Sequence, residues 1–233
     1  MNGRTQWILS ALAVPVVLAA GYGLARAGEA PPQQAAAEVD VAEYPSMTAL
    51  RKVEPQAGWE LSWKITDSPL IVVAPHGGSI ELRTSEIATA IADGRHTECH
   101  FKGRLPTGNY PRLHVTSTNW DVEECLILIR QRPHALSIHG TAKPGRIVYV
   151  GGRDTVKGAA LTAALRAQGF QAEAAPDDIA GLSTANFVNK DADGAGVQLE
   201  LTTDLRTALF PTASGPAGPD VPKFVAAVQS VYP

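Results

Sequence analysis

Four residues in this sequence have the type and setting for hydrolytic chemistry: His76, Glu81, His139 and Glu200. His76 and Glu81 belong to Leu70-Ile-Val-Val-Ala-Pro-His-Gly-Gly-Ser-Ile-Glu81, where Pro75 cuts an apolar run and a histidine, two glycines and a carboxylate follow. His139 follows Ala-Leu-Ser-Ile and, like His76, precedes a glycine, which lets a ligand come close to the backbone. Either histidine alone reads equally well as a structural residue. The pair, with Glu81 five residues after the first, points to a metal. Two histidines and one carboxylate suit zinc and leave a tetrahedral ion one open position. Glu200, inside Val-Gln-Leu-Glu-Leu, is the candidate base: it would take a proton from the attacking water and pass it to a leaving amine. A carboxylate within an apolar strand is costly to bury without such a reason. The alternative is an exposed residue on an edge strand, since pattern alone does not assign the face.

Other motifs carry less. His96 and His100 flank Cys99 on an expected strand, but alternation sends Cys99 to the opposite face, so the cluster reads as structural. His114 precedes the polar stretch Val-Thr-Ser-Thr-Asn-Trp-Asp121, which could line a cleft, and His134 after Pro133 reads as a surface residue. There is no His-Glu-x-x-His helix and no Gly-x-Ser-x-Gly elbow, which removes metalloproteases of that type and leaves serine hydrolases little support. A dinucleotide fingerprint after a strand and a Gly-Lys-Ser/Thr phosphate loop are likewise absent, and Gly151-Gly152 reads as an ordinary strand-to-helix turn.

The elements that must position these residues alternate between short apolar strands and helices. Leu70–Ala74 reads as a strand buried on both faces, and ligand sites in open α/β sheets lie at the carboxyl ends of such strands. Further strands are expected at 97–101, 113–115, 135–138, 146–150, 170–174 and 196–201. Helices are expected at 85–93, capped by Thr84 or Ser85 and ended by Gly94; at 122–131, capped by Asp121; and at 154–168, stopped by Gly169. A short helix at 204–209 and a C-terminal helix at 221–231 complete the set, with 103–111 a loop and 49–63 a tryptophan-bearing segment packed on the core. The expected architecture is a single α/β domain, with a central mixed, largely parallel sheet flanked by helices.

About 45% of the residues are apolar, 18% are charged and the net charge is −3, which suits one sizeable core. No block of basic residues is present, so nucleic acid is not an expected partner, and an anionic substrate must be met by local cations. Residues 1–27 have the form of a signal peptide: Arg4, the apolar run Trp7–Ala20 and a small-x-small site at Ala25-Arg-Ala27. That run is short for a spanning helix of about 20 residues and contains Pro15, so cleavage is favoured over an anchor. Residues 28–43 form a small, polar, proline-containing linker, and the domain proper occupies 44–233. A secreted monomer, without stable membrane association once the signal is removed, is expected. Export permits a disulfide between Cys99 and Cys125, with two buried thiols as the alternative.

The motifs Ala74-Pro-His-Gly-Gly-Ser-Ile-Glu-Leu-Arg-Thr-Ser-Glu86, His114-Val-Thr-Ser-Thr-Asn-Trp-Asp121, Ser137-Ile-His-Gly140, Val148-Tyr-Val-Gly-Gly152, Asn186-Phe-Val-Asn189 and Gly196-Val-Gln-Leu-Glu-Leu201 occur in this order. Together they resemble the poly-γ-glutamate hydrolase family, zinc enzymes with a carboxypeptidase-like α/β fold. The resemblance covers about residues 70–206. It implies Zn2+ held by His76, Glu81 and His139, Glu200 as general acid/base, and an anionic glutamate-rich polymer or peptide as substrate. The family motif typically reads His-Gly-Gly-Gly-Ile-Glu-Pro-Gly-Thr-Ser-Glu; here Ser79, Leu82 and Arg83 replace Gly, Pro and Gly, which bears on polymer specificity. Arg83 and Arg206 are candidates to meet a developing oxyanion or to clamp a substrate carboxylate. A peptidoglycan or peptide amidase using the same site, and a catalytically silent exported binding protein, are the other readings.

Overall fold

The computed structural model describes residues 44–233; the expected signal peptide and linker lie outside the described residues. The chain opens with a short helix, α1 (Met47–Val53), whose first turn is capped by the Ser46 hydroxyl accepting from the Ala49 N–H at 3.1 Å. Then follow strands β1 (Trp59–Lys64) and β2 (Leu70–Gly78), helix α2 (Thr84–Ala92) and strand β3 (Thr97–Gly103). Helices α3 (Asn109–Leu113) and α4 (Glu123–Arg130) lead to strands β4 (His134–Thr141) and β5 (Ile147–Gly152). Helix α5 (Thr155–Ala167), strands β6 (Gln171–Ala174) and β7 (Val197–Thr202), and helices α6 (Thr203–Leu209) and α7 (Val221–Gln229) complete the described chain.

The seven strands form one sheet in the order β1-β3-β2-β4-β7-β5-β6. β3, β2, β4 and β7 run parallel to one another, as do β5 and β6; β1 meets β3, and β5 meets β7, antiparallel. The sheet is therefore mixed and largely parallel, as the sequence predicts.

β2 shows why its run of apolar residues is unbroken. Leu70, Val72 and Ala74 pack with Ile87 and Ile91 of α2 and with α5 and α7, while Ile71 and Val73 pack on the opposite face with Leu50 of α1 and Ile129 of α4. A strand with a core on each side has no polar face to alternate with. The chain leaves β2 for β3 on one side and returns to β4 on the other. That reversal opens a crevice at the carboxyl end of β2, where His76 stands.

Four local readings differ from the sequence-based expectation, the first being the start of α2, where Arg83 and not Thr84 or Ser85 takes the cap position, without a side-chain cap. The strand expected at 113–115 is absent: Leu113 ends α3, which starts after Gly108 at φ +69 and holds Pro111 within its first turn, where proline is tolerated. Asp121 does not cap α4. Val122 precedes that helix without a side-chain cap, and the Asp121 carboxylate instead accepts the Thr48 N–H of α1 at 2.9 Å. His134 is half-buried rather than at the surface, its ring 5.7 Å from that of Tyr232.

The histidines around Cys99 serve the framework. Nδ1 of His100 accepts the Ala74 N–H at 3.1 Å, where the β2–β3 register shifts, and Nδ1 of His96 meets the Ser68 hydroxyl at 2.7 Å. Cys99 and Cys125 form a disulfide that ties β3 to α4 across 26 residues. For a loop of that length the chain-entropy relation gives about 3.5 kcal/mol. The Cys99→Ala, Cys125→Ala double variant is accordingly expected to lose about 2–4 kcal/mol in a urea denaturation measurement. An unchanged midpoint with an unchanged slope would show that the crosslink adds nothing to stability.

Candidate metal centre

A cavity of about 720 Å³ lies at the carboxyl ends of β2, β4 and β7, and His76, Glu81, His114, His139 and Glu200 all line it. β2 delivers His76, and the turn between β2 and α2 delivers Glu81. That turn is tight: the Glu81 N–H bonds back to the His76 carbonyl at 2.8 Å, and the Thr84 hydroxyl faces the carbonyls of both residues. Arg83, the residue before α2, holds a left-handed conformation at φ +78 to complete it. β4 and β7 lie side by side with His139 directly opposite Glu200. Leu136, Ile138, Leu199 and Leu201 take the α5/α7 face of these two strands, so by alternation His139 and Glu200 share the other face.

The hydrogen bonds orient each group. His76 Nδ1 meets Glu81 Oε1 at 2.9 Å, and its Nε2 faces the Val115 carbonyl at 2.8 Å. The other Glu81 oxygen, Oε2, accepts the Gly140 N–H at 2.7 Å and lies 3.8 Å from His139 Nδ1. His114 Nε2 is 3.5 Å from Glu81 Oε1, and His139 Nε2 is 3.4 Å from the Ser117 hydroxyl. Gln198, two residues before Glu200 on the same face, donates from Nε2 to Glu200 Oε1 at 3.0 Å.

Burial sets the charges. It opposes ionisation of Glu81, but the His76 charge and the histidine hydrogen bonds outweigh it and hold this carboxyl well below the usual range. The same pairing carries His76 above its ordinary value against the effect of burial. His139 goes the other way: burial, with the neighbouring histidines adding to it, lowers it to about 3, so its imidazole is neutral and one ring nitrogen has a lone pair to offer. Burial lowers His114 as well. Glu200 is pushed up to about 9, by burial first and then by the Glu81 charge.

Comparison with known proteins decides the family. Residues 44–217 match the family profile described as poly-gamma-glutamate hydrolase. The chain belongs to the poly-gamma-glutamate hydrolase family. Two relatives in Bacillus subtilis (strain 168) are each 34% identical: the SPbeta prophage-derived UPF0714 protein YoqZ over 173 residues, and the UPF0714 protein YndL over 169. These matches cover 73% and 72% of this chain but 62% and 66% of the relatives, less than two thirds of their length. Among solved structures, a bacteriophage poly-gamma-glutamate hydrolase superposes with a TM-score of 0.77 at 29% identity, covering 81% of this chain and 95% of that one. Zinc-free YndL superposes at 0.76 with 30% identity, covering 81% and 96%.

The donor set of this poly-gamma-glutamate hydrolase family member fits a zinc ion. Ligand atoms of His76, Glu81 and His114 lie within 4.8 Å of one another. The bond from His76 Nε2–H to the Val115 carbonyl leaves Nδ1 facing the cluster, the second contact that orients a ligating histidine. Ring geometry bears on the third ligand. Two imidazoles on one tetrahedral ion, each with zinc–nitrogen near 2.0–2.1 Å, have ring centres roughly 5 Å apart. His76 and His139 stand at 5.1 Å, edge to face, and His76 and His114 at 4.1 Å, tilted by 37°. His139 is not in the group drawn by ligand-atom distances, although its Nδ1 lies 3.8 Å from Glu81 Oε2.

The structure thus brings His76, Glu81, His139 and Glu200 to one cavity and separates the two arginines from it. Arg206 is 6% exposed and lies behind Gly140, donating to the Leu201 carbonyl and the Thr203 hydroxyl at 3.1 Å each and to the Leu82 carbonyl. Arg83 turns toward the chain end of α6, its Nε donating to the Phe210 carbonyl at 2.9 Å. Tyr110 and Gln198 also line the cavity and were not singled out from sequence. Gln198 carried a usable signal, since it shares the two-residue period of Glu200; Tyr110, on a helix of five residues, carried none.

Proposed function

We propose that this chain is a secreted, zinc-dependent amide hydrolase that cleaves γ-glutamyl bonds in poly-γ-glutamate or a related glutamate-rich polymer. The observation that carries the reading is the convergence of His76, Glu81 and His139 on one cavity, with Glu200 beside His139 in register. His76, Glu81 and His139 would hold the ion, and His114 would stand against His76 beside it. Zinc held there would supply Lewis acidity, polarising a carbonyl and acidifying water. A cation at those donors would also counter the Glu81 charge that raises Glu200, drawing the Glu200 carboxyl toward its ionised form. Glu200 then accepts the proton of the attacking water and returns it to the departing nitrogen as the C–N bond breaks. The disulfide supports export, because such bonds persist in oxidising compartments.

The reading of an anionic substrate rests on Arg206. It is buried, its hydrogen bonds go to neutral acceptors while Glu81 and Glu200 act on it only at longer range, and it walls a cavity of about 300 Å³ that shares Glu81, Tyr110 and Gly140 with the metal cavity. A buried cation hydrogen-bonded only by neutral acceptors is suited to a carboxylate brought by the substrate. Arg206→Lys keeps the charge and loses the planar fork, so KM for poly-γ-glutamate is expected to rise about tenfold or more with zinc content unchanged. An unchanged KM would remove Arg206 from substrate binding.

The overall test is purified protein on poly-γ-glutamate, with and without a chelator, products separated by size. Cleavage that chelation stops and added zinc restores is the expected result. Cleavage indifferent to the chelator would sink the zinc mechanism, and an intact polymer alongside shortened muropeptides would move the activity to a cell-wall substrate.

A further inference from the structure

Beyond the cavity of Arg206, on the far side of Leu82, lies a groove of about 680 Å³ lined by Ser79, Leu82, Arg83, Lys102 and Arg104, among others. Leu82 and Arg83 are walls common to the groove and to the Arg206 cavity, which in turn shares Glu81 and Gly140 with the metal cavity. The three hollows therefore lie in series, and charge changes sign along them. Among the described residues no Lys or Arg lines the metal cavity, whose wall carries Asp177 and Asp178, the second of them paired with Lys143 at 2.9 Å. The middle cavity carries Arg206 and Arg83, and the groove carries Arg83, Lys102 and Arg104 against a single lining acid, Glu86.

Those cations are incompletely neutralised. Lys102, at 3.5 Å, and Arg104 both turn to one carboxylate, that of Glu60 on the edge strand β1. Arg83 bonds to the carbonyls of Phe210 and Pro211, and among the described residues no carboxylate lies within ion-pairing distance of it. Arg83 reaches this place from a left-handed backbone that disfavours a side chain. Ser79, Leu82 and Arg83, all from the turn between β2 and α2, line this groove.

We propose that the groove of Arg83, Lys102 and Arg104 is a distal subsite for carboxylates of the polymer several units from the scissile bond. This rests on the proposed function and adds to it a direction: the anionic chain extends from the metal across Arg206 and Leu82 to Lys102, away from Asp177 and Asp178. Binding through several weak charge contacts on one chain depends on polymer length and weakens as salt rises.

The test measures binding of labelled poly-γ-glutamate, long and three to four units long, to zinc-loaded Glu200→Gln protein, and in parallel the kinetics of the active parent. Adding Lys102→Ala and Arg104→Ala is expected to weaken binding of the long polymer about tenfold and leave the short one unchanged. Glu60→Gln, which frees both cations, is expected to tighten the long polymer, a gain that loss of folding does not imitate. In the active parent background the double variant raises KM for long polymer and leaves kcat and short-oligomer kinetics alone. Equal long-polymer affinity in all three proteins overturns the subsite. Failure of the parent to cleave the polymer, with the binding differences intact, overturns the catalytic reading instead.

Discussion

Glu200→Gln is expected to lower turnover of poly-γ-glutamate by roughly 10²–10⁴-fold, while zinc content, melting temperature and affinity for the polymer stay those of the parent. Glutamine keeps the volume and the carbonyl oxygen that accepts from Gln198, so the packing of β7 against β4 has no reason to change. What it lacks is the ability to hold a proton taken from water and release it to nitrogen. Removing the charged form should not destabilise the fold, because burial and Glu81 already oppose ionisation at this position. KM close to that of the parent, with kcat collapsed, is the pattern of a group acting only in the transition state. Parent-level kcat in a folded, zinc-loaded Glu200→Gln protein would take this residue out of the proton transfer and send the search to Tyr110 and His114 in the same cavity.

The second large effect separates the two histidines that compete for the third ligand position. His139→Ala is expected to weaken zinc binding roughly 10²–10³-fold, one ligand's share of the ~10–16 kcal/mol that a four-ligand site provides. His76→Ala should match it. His114→Ala is expected to keep zinc within a few-fold and to lower kcat instead, since its ring lies against His76 and 4.6 Å from Tyr110 at the mouth of the cavity. Zinc titration with a competing chelator measures all three. The reverse order, with zinc lost from the His114 variant and retained by the His139 variant, would favour the His76, Glu81, His114 grouping that interatomic distances alone pick out.

Much of this was legible before folding was considered, and the exceptions have specific causes. β2 announced itself because a strand with cores on both faces must be apolar throughout, and α5 because Gly169 stops its run of helix formers; that Asp154 caps the helix rather than opening it came from the structure. Asp121 carried a capping signal for the helix that follows it and was claimed instead by the Thr48 N–H of α1, a tertiary partner 73 residues away. The stretch after Leu113 has the β-propensity of a strand, yet Val115 is held as loop, with its carbonyl facing His76. Glu200 could be singled out as an acid in an apolar strand, but its face could not be known until Leu199 and Leu201 were seen to occupy the other one.

By itself, the sequence determined the α/β class, the pairing of a His-Gly-Gly turn with Glu81, and the strand-end positions of His139 and Glu200, because hydrophobic periodicity and turn chemistry are local properties. The tertiary structure alone decided which strands became neighbours, and with that how the site was assembled. Placing β4 between β2 and β7 put His139 beside both Glu81 and Glu200, a consequence of crossover direction that no local pattern encodes. Arg83 and Arg206 looked alike as cations near the site in sequence. Packing behind Gly140 buried one next to the metal cavity, while the left-handed turn before α2 sent the other toward Phe210 and the groove beyond.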